Sequence, residues 1–176
     1  LSSDDYDSLS LFHPTLAEFI KAGPAKHMWV ALHRRGAGLY SADLEKNKSD
    51  SIALDLLPYH LHEAGDVEAF LAAVDAHGPE KYRLRLLRSY LRDLQWAETE
   101  VRKEPAKRAR ELAGVLNNLG TVLSDLGDRA GARKAFEEAL GIKRRLAQQE
   151  PAAFEPDVAM TLNNLGTVLS ELGDRA

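Results

Sequence analysis

Residues 116–130 read LNNLGTVLSDLGDRA and residues 162–176 read LNNLGTVLSELGDRA. The copies differ only at Asp125 and Glu171, and their offset is 162 − 116 = 46 residues. A near-verbatim segment recurring at such a period is the signature of a stacked repeat. One pair of helices cannot bury both of its faces, so it must stack on a neighbour. A fold of this kind presents surface for binding and carries no chemistry of its own. Gly120, Ala132 and Ala139 lack bulk and let helices approach closely, while Leu119, Leu123 and Phe136 fill the remaining space.

Apolar residues recur at helical spacing along most of the chain. They predict helices over 11–22, 25–40, 52–63, 67–74, 80–101, 106–126, 129–148 and 157–172. The breaks are placed by composition: Gly23-Pro24, a polar loop over 41–51, Ala64-Gly65-Asp66, His77-Gly78-Pro79, Glu104-Pro105, Gly127-Asp128 and the Pro-bounded EPAAFEPD at 150–157. Asp66 and Asp128 read as N-caps, because a short carboxylate accepts a bond from an otherwise unpaired N–H of the first turn. Pro58 falls inside its helix and implies a kink or a first turn. A short strand is conceivable only around 6–12. The fold class is therefore all-α: a helical cluster over 1–79, a connecting helix over 80–104 and an α-solenoid of helix pairs over 105–176.

With Ala113 set as position one of a unit, Leu116 falls at four, Leu119 at seven, Gly120 at eight, Leu123 at eleven, Ala132 at twenty, Phe136 at twenty-four and Ala139 at twenty-seven. This pattern resembles the tetratricopeptide repeat, with its small residues at eight, twenty and twenty-seven and large ones at four and twenty-four. Leu116 and Leu123 stand where the family has Trp and Tyr. The period of 46 is longer than the family's usual ~34. In that respect the segment is similar to the long repeats of kinesin light chains and of bacterial signalling ATPases. The resemblance implies one complete repeat and one half, with further repeats expected after Ala176. It also implies that the first helix of each pair lines a concave groove that binds a protein or peptide. Carried over residue by residue, the groove positions are Asn117, Thr121 and Ser124, then Asn163, Thr167 and Ser170. Each trio is spaced i, i+4, i+7 and shares one helical face. An Asn side chain both donates and accepts, which suits a peptide backbone. Plain solvent exposure of this stripe is the alternative, and Asn118 fits either groove or inter-repeat contact.

LFHPTLAEFI at 11–20, followed by ALDLLPYHLHEAGD at 53–66, resembles the end of the winged-helix region in STAND-type (NB-ARC or NACHT) signalling ATPases. There the segment leads from a nucleotide switch into repeats. Phe12-His13-Pro14 then corresponds to that class's Met-His-Asp motif, with Pro14 in place of Asp. The resemblance implies that His13 senses the ADP phosphate in a full-length parent, as a donor and, when protonated, a charge. The chain has no GxxxxGK[ST] loop, so ADP or ATP would belong to the parent and no cofactor is expected here. A nucleotide-binding domain of the same parent is a second candidate partner.

Other chemistry finds little footing. There is no cysteine, hence no disulfide framework, no thiolate metal site and no thiol nucleophile, in keeping with a cytoplasmic setting. His60 and His62 are two apart and point in different directions on a helix, whereas a metal pair needs i, i+4. Nothing resembles a GxSxG nucleophile elbow. No catalytic or metal residues are expected, and any ATPase activity would lie outside this chain. No apolar run is long enough to span a membrane. Charge is uneven: residues 81–110 hold 10 Lys/Arg against 4 Asp/Glu, between acidic flanks. Lys81, Arg83, Arg85, Arg88 and Arg92, then Arg102, Lys103, Lys107, Arg108 and Arg110, raise the question of phosphate contact. The acidic flanks disfavour nucleic acid, and an acidic protein partner fits better. Two readings follow: a non-enzymatic interaction and sensor module of a STAND-type regulator, or a structural solenoid that mediates self-association.

Overall fold

A computed structural model of the chain describes Gly23 and residues 26–173. Seven helices occupy these residues: α1 (Lys26–Lys46), α2 (Ser51–Glu63), α3 (Val67–Arg83), α4 (Leu87–Val101), α5 (Ala109–Asp125), α6 (Arg129–Gln149) and α7 (Pro151–Leu172), with no strand among them. The all-α solenoid class is thus observed. The expected helix at 11–22, the strand at 6–12 and His13 lie outside the described residues.

Each helix packs mainly on its neighbours in the chain, so the core is a relay of small clusters. Ala37 and Leu44 of α1 meet Ala53, Leu54 and Leu57 of α2 and Ala73 of α3. Phe70 and Val74 of α3 meet Tyr90, Leu94 and Ala97 of α4, which in turn reach Leu119 and Val122 of α5. Val101 of α4, Leu112, Ala113 and Leu116 of α5, and Ala139 and Ile142 of α6 form the next. The last joins Ala132, Phe136 and Leu140 of α6 to Leu165 and Val168 of α7.

The caps read from sequence are present. The N–H groups of Ala69 and Gly131 donate to the Asp66 and Asp128 carboxylates at 3.2 and 2.8 Å. Asp50, an unexpected third, accepts from Ile52 and Ala53, both at 3.0 Å.

Four helix boundaries differ from expectation. The polar stretch 41–46 is helical because Leu44 is buried on α2. The helices placed at 67–74 and 80–101 divide elsewhere: α3 runs through Gly78-Pro79 to Arg83, and α4 begins at Leu87. Gly78 is an interface residue, since a Cβ there would strike the Tyr90 side chain of α4. Packing on both flanking helices thus outweighs the one ladder bond that Pro79 removes. The expected connecting helix at 80–104 is therefore the end of one helix, a turn and a second helix. Likewise EPAAFEPD is not a loop. Pro151 starts α7, where its missing N–H costs nothing, and the helix continues through Pro156. Phe154, buried in that first stretch, packs under the Arg110 guanidinium of α5 at 4.7 Å. Pro58 lies well inside α2 and is fully buried.

The α3–α4 turn reproduces the glycine turns with a different residue. In the α2–α3 and α5–α6 turns, Gly65 and Gly127 take φ of +71° and +92°. Between α3 and α4 the same position is Arg85, at φ +60°. The Leu86 N–H donates to Lys81 O at 2.9 Å, matching Asp66 to Leu61 and Asp128 to Leu123. An L-residue in this region costs roughly 1–2 kcal/mol. The exposed pair Arg85–Asp125, at 3.1 Å, returns at most about 1 kcal/mol. Arg85→Gly is therefore expected to leave stability unchanged or raise it by up to about 1 kcal/mol. Thermal unfolding checks this; a marked loss would show that the ion pair outweighs the backbone.

The α1–α2 contact is aromatic. His60 of α2 lies 4.8 Å from His33 and 5.4 Å from Tyr40 between ring centroids, and abuts Gly36, where a Cβ would come within 2.6 Å of its ring. Burial holds the His60 pKa below its ordinary value, against the opposing pull of Glu63. A histidine whose folded pKa is depressed contributes stability above its unfolded pKa near 6.5 and loses it as pH falls through the folded value. His77 shifts the same way, through burial and Lys81. Acidification from pH 7.5 to 5 is thus expected to lower the protection factors of α1 amides, each exchange rate being referred to its intrinsic rate at the same pH, with a smaller pH response in His60→Phe.

Candidate ligand-binding surface

The repeat stripe splits between two environments. Asn117 departs from the groove expectation: it is 7% exposed, and its Oδ1 accepts from Thr161 Oγ1 of α7 at 3.1 Å. Thr161 also accepts from the buried Lys143 Nζ of α6 at 2.9 Å, and Lys143 stands 4.0 Å from the Asp157 carboxylate. Burial lowers the Lys143 pKa and Asp157 opposes this. Asn117 is thus part of a buried polar link joining α5, α6 and α7. Its twin Asn163 is exposed.

Thr121 and Ser124 are half-buried, while Thr167 and Ser170 are exposed. The Thr121 and Thr167 hydroxyls donate back to the carbonyls of Asn117 and Asn163, both at 3.1 Å. The Ser124 carbonyl accepts from Arg129 Nη1 at 2.8 Å. Asn118 points to α4, where it hydrogen-bonds the Tyr90 hydroxyl; burial first, then Asp75 and Asp93, push that hydroxyl up to about 12. The accessible part of the stripe is therefore Thr121, Ser124, Asn163, Thr167 and Ser170.

Most of the basic segment is engaged in ion pairs within the chain, with Lys81 and Arg108 buried. Lys81 is 1% exposed and pairs with Asp93, also 1% exposed, while donating to Ser89 Oγ at 2.7 Å. Arg92 bridges Asp93 and Asp55, each at 2.9 Å, and Ser89 donates to Asp55. Burial pushes the Lys81 ammonium down and the Asp93 carboxyl up, each countering the other's shift. Arg83 pairs with Glu80, Arg85 with Asp125, Lys103 with Glu100 and Lys107 with Glu104. Arg102 is held by Glu98 and Glu138 at 2.7 and 2.8 Å. Arg108 is held by Glu68 and Glu111, and Arg110 reaches Glu150 at 3.4 Å. These pairings set a carboxylate beside each of these cations. Sequence order hid this, because Asp125, Glu138 and Glu68 lie about forty residues from their partners.

His60 and His62 diverge as expected, His62 stacking on Trp96 at 4.4 Å. Among the described residues no group of three or more metal-ligating side chains converges, and no helix is long and apolar enough to cross a membrane. A cleft of about 420 Å³ opens between the α4–α5 connection and α6, with Pro105, Ala109, Leu112 and Ile142 as its apolar wall and Arg102, Glu138 and Arg145 at its rim.

The folded chain is thus an all-α helical-repeat solenoid whose polar surface lies along helix faces rather than in a closed centre. Residues 112–151 match the tetratricopeptide repeat family. Repeats of that family typically bind proteins or peptides and are typically non-catalytic. Among solved structures, the crystal structure of BtubC (BKLC) from P. vanneervenii superposes with a TM-score of 0.52 at 19% identity, covering 96% of this chain and 73% of that one. At that identity the likeness is one of fold. No curated protein is similar enough to this chain to count as a match.

Proposed function

We propose that the chain is a non-enzymatic protein-interaction module that binds an extended peptide or protein segment along the face bearing Thr121, Ser124, Asn163, Thr167 and Ser170. The observation that carries this reading is the tetratricopeptide match at 112–151 on a helical solenoid, with polar side chains of corresponding helices α5 and α7 left accessible. Asn117 supports the scaffold rather than the ligand. On the N-terminal resemblance we read the module as part of a cytoplasmic STAND-type regulator, where it would relay binding toward a nucleotide switch, with His13 as the phosphate sensor of that parent.

The test is selection of a random peptide library against the chain. A shared motif should emerge, and its affinity should fall at least tenfold in Asn163→Ala/Thr167→Ala while helicity is unchanged. Absence of any shared motif, or affinity indifferent to both substitutions, defeats the groove. Calorimetry with ADP separates the enzymatic alternative: tight binding by this chain would overturn a purely interactive role.

A further inference from the structure

The cleft between the α4–α5 connection and α6 stays open although the helices on either side of it in sequence are in place. One wall is Pro105, Ala109 and Leu112, and the other is Gly141 and Ile142. The helix that follows, α7, packs on Ala132, Phe136 and Leu140 of α6 and leaves the cleft uncovered. Leu112 and Ile142 are buried, so the floor is apolar and already built. Gly141 lies within α6, where glycine weakens a helix relative to alanine, and a Cβ there would meet nothing within 4 Å. Elsewhere in this chain helix glycines seat aromatic rings: His60 lies on Gly36, Tyr90 on Gly78 and Phe136 on Gly120. Gly38, Gly114 and Gly166 are also open, but none of them lines this cleft. The rim is unevenly charged. Glu138 is taken up by Arg102 at 2.8 Å, and Lys134 adds to the positive field around it. Arg145, one turn beyond Gly141, is exposed and has no ion pair among the described residues.

We infer that this cleft binds an extended acidic peptide segment, seating an aromatic side chain over Gly141 and pairing a carboxylate two residues away with Arg145. The ring takes the place that internal rings take on the other glycines, with Leu112 and Ile142 beneath it. The carboxylate answers the rim charge that the chain itself leaves unmatched. The register follows from the helix. Gly141 and Arg145 are separated by a rise of about 6 Å, and side chains at i and i+2 of an extended segment share a side about 6.6 Å apart. The cleft is separate from the polar stripe, since Ala109 opens α5 and Ser124 nearly closes it, about 22 Å further along the axis.

The probe is the pentapeptide acetyl-Gly-Phe-Gly-Glu-Gly-amide, titrated into the isotope-labelled full chain and followed by nuclear magnetic resonance. Saturable shifts are expected at the Gly141 and Ile142 amides. Replacing the peptide's Glu by Gln should weaken binding about fivefold, the worth of one exposed ion pair. Replacing its Phe by Ala should remove binding. In the chain, Arg145→Gln should erase the preference for Glu over Gln, and Gly141→Leu, which fills the cleft, should abolish binding. Arg145 is exposed and Gly141 faces open space, so thermal unfolding should be unchanged in the first variant and unchanged or raised in the second. Asn163→Ala/Thr167→Ala should bind the peptide as the parent does. No shift at Gly141 and Ile142 with millimolar peptide would overturn the proposal, as would Glu and Gln peptides that bind the parent alike. Binding lost in Asn163→Ala/Thr167→Ala would also overturn it, assigning the peptide to the polar stripe instead.

Discussion

Asp93→Ala is expected to cost about 3–5 kcal/mol of stability, the usual penalty for removing one partner of a buried ion pair. The variant strands the Lys81 ammonium, 1% exposed, with Ser89 as its remaining hydrogen-bond acceptor. Lys81→Met should cost less, because Asp93 keeps Arg92 at 2.9 Å. The double variant Lys81→Met/Asp93→Leu should recover most of the loss or exceed the parent, since burying two charges consumes most of what their attraction returns. Denaturant unfolding of the parent, Lys81→Met, Asp93→Leu alone and the double variant gives a double-mutant cycle directly. Equal losses for both single variants, without recovery in the double, would mean that the Asp55–Ser89–Arg92 frame, not the pair, is what stabilises α2, α3 and α4 against one another.

The second large effect concerns the repeat itself. Phe136→Ala should cost about 3–5 kcal/mol, since the ring is 2% exposed and its loss empties the space between α5 and α6. The complementary change separates the two copies. Gly120→Ala puts a methyl 2.8 Å from that ring and should destabilise by about 1–3 kcal/mol. Gly166→Ala, in the same local sequence but with open space, should stabilise by up to about 1 kcal/mol through helix propensity. Opposite signs for one substitution in matched sequence would locate the cause in tertiary packing. Equal signs would mean that the two helices are packed alike.

That contrast also explains what was legible beforehand. Leu119, Gly120, Ala132, Phe136 and Ala139 announce their packing roles, because small and large residues at fixed spacing have few other uses. Asn117 misled, because i, i+4, i+7 spacing shows which residues share a face but not which neighbour that face meets. Its twin Asn163 has the same sequence around it and a different exposure. Pro79 and Pro156 misled for another reason. Each removes one ladder bond, and α3 and α7 continue because Tyr90 on Gly78, and Arg110 over Phe154, fix their backbones from outside. The basic segment read as a patch because part of its neutralising charge, from Asp55, Glu68, Asp125 and Glu138, comes from helices outside it. Leu44 and the Asp50 cap were available signals within a stretch judged by its overall polarity.

The relay of clusters along the axis has a kinetic consequence. Every core cluster draws on two or three consecutive helices, so the loops that must close during folding are short and little chain entropy is lost before contacts form. Topologies dominated by such local contacts assemble in microseconds to milliseconds. A strained turn such as that at Arg85 then acts only on the helices beside it, and the two ends of the molecule can gain or lose structure on separate clocks.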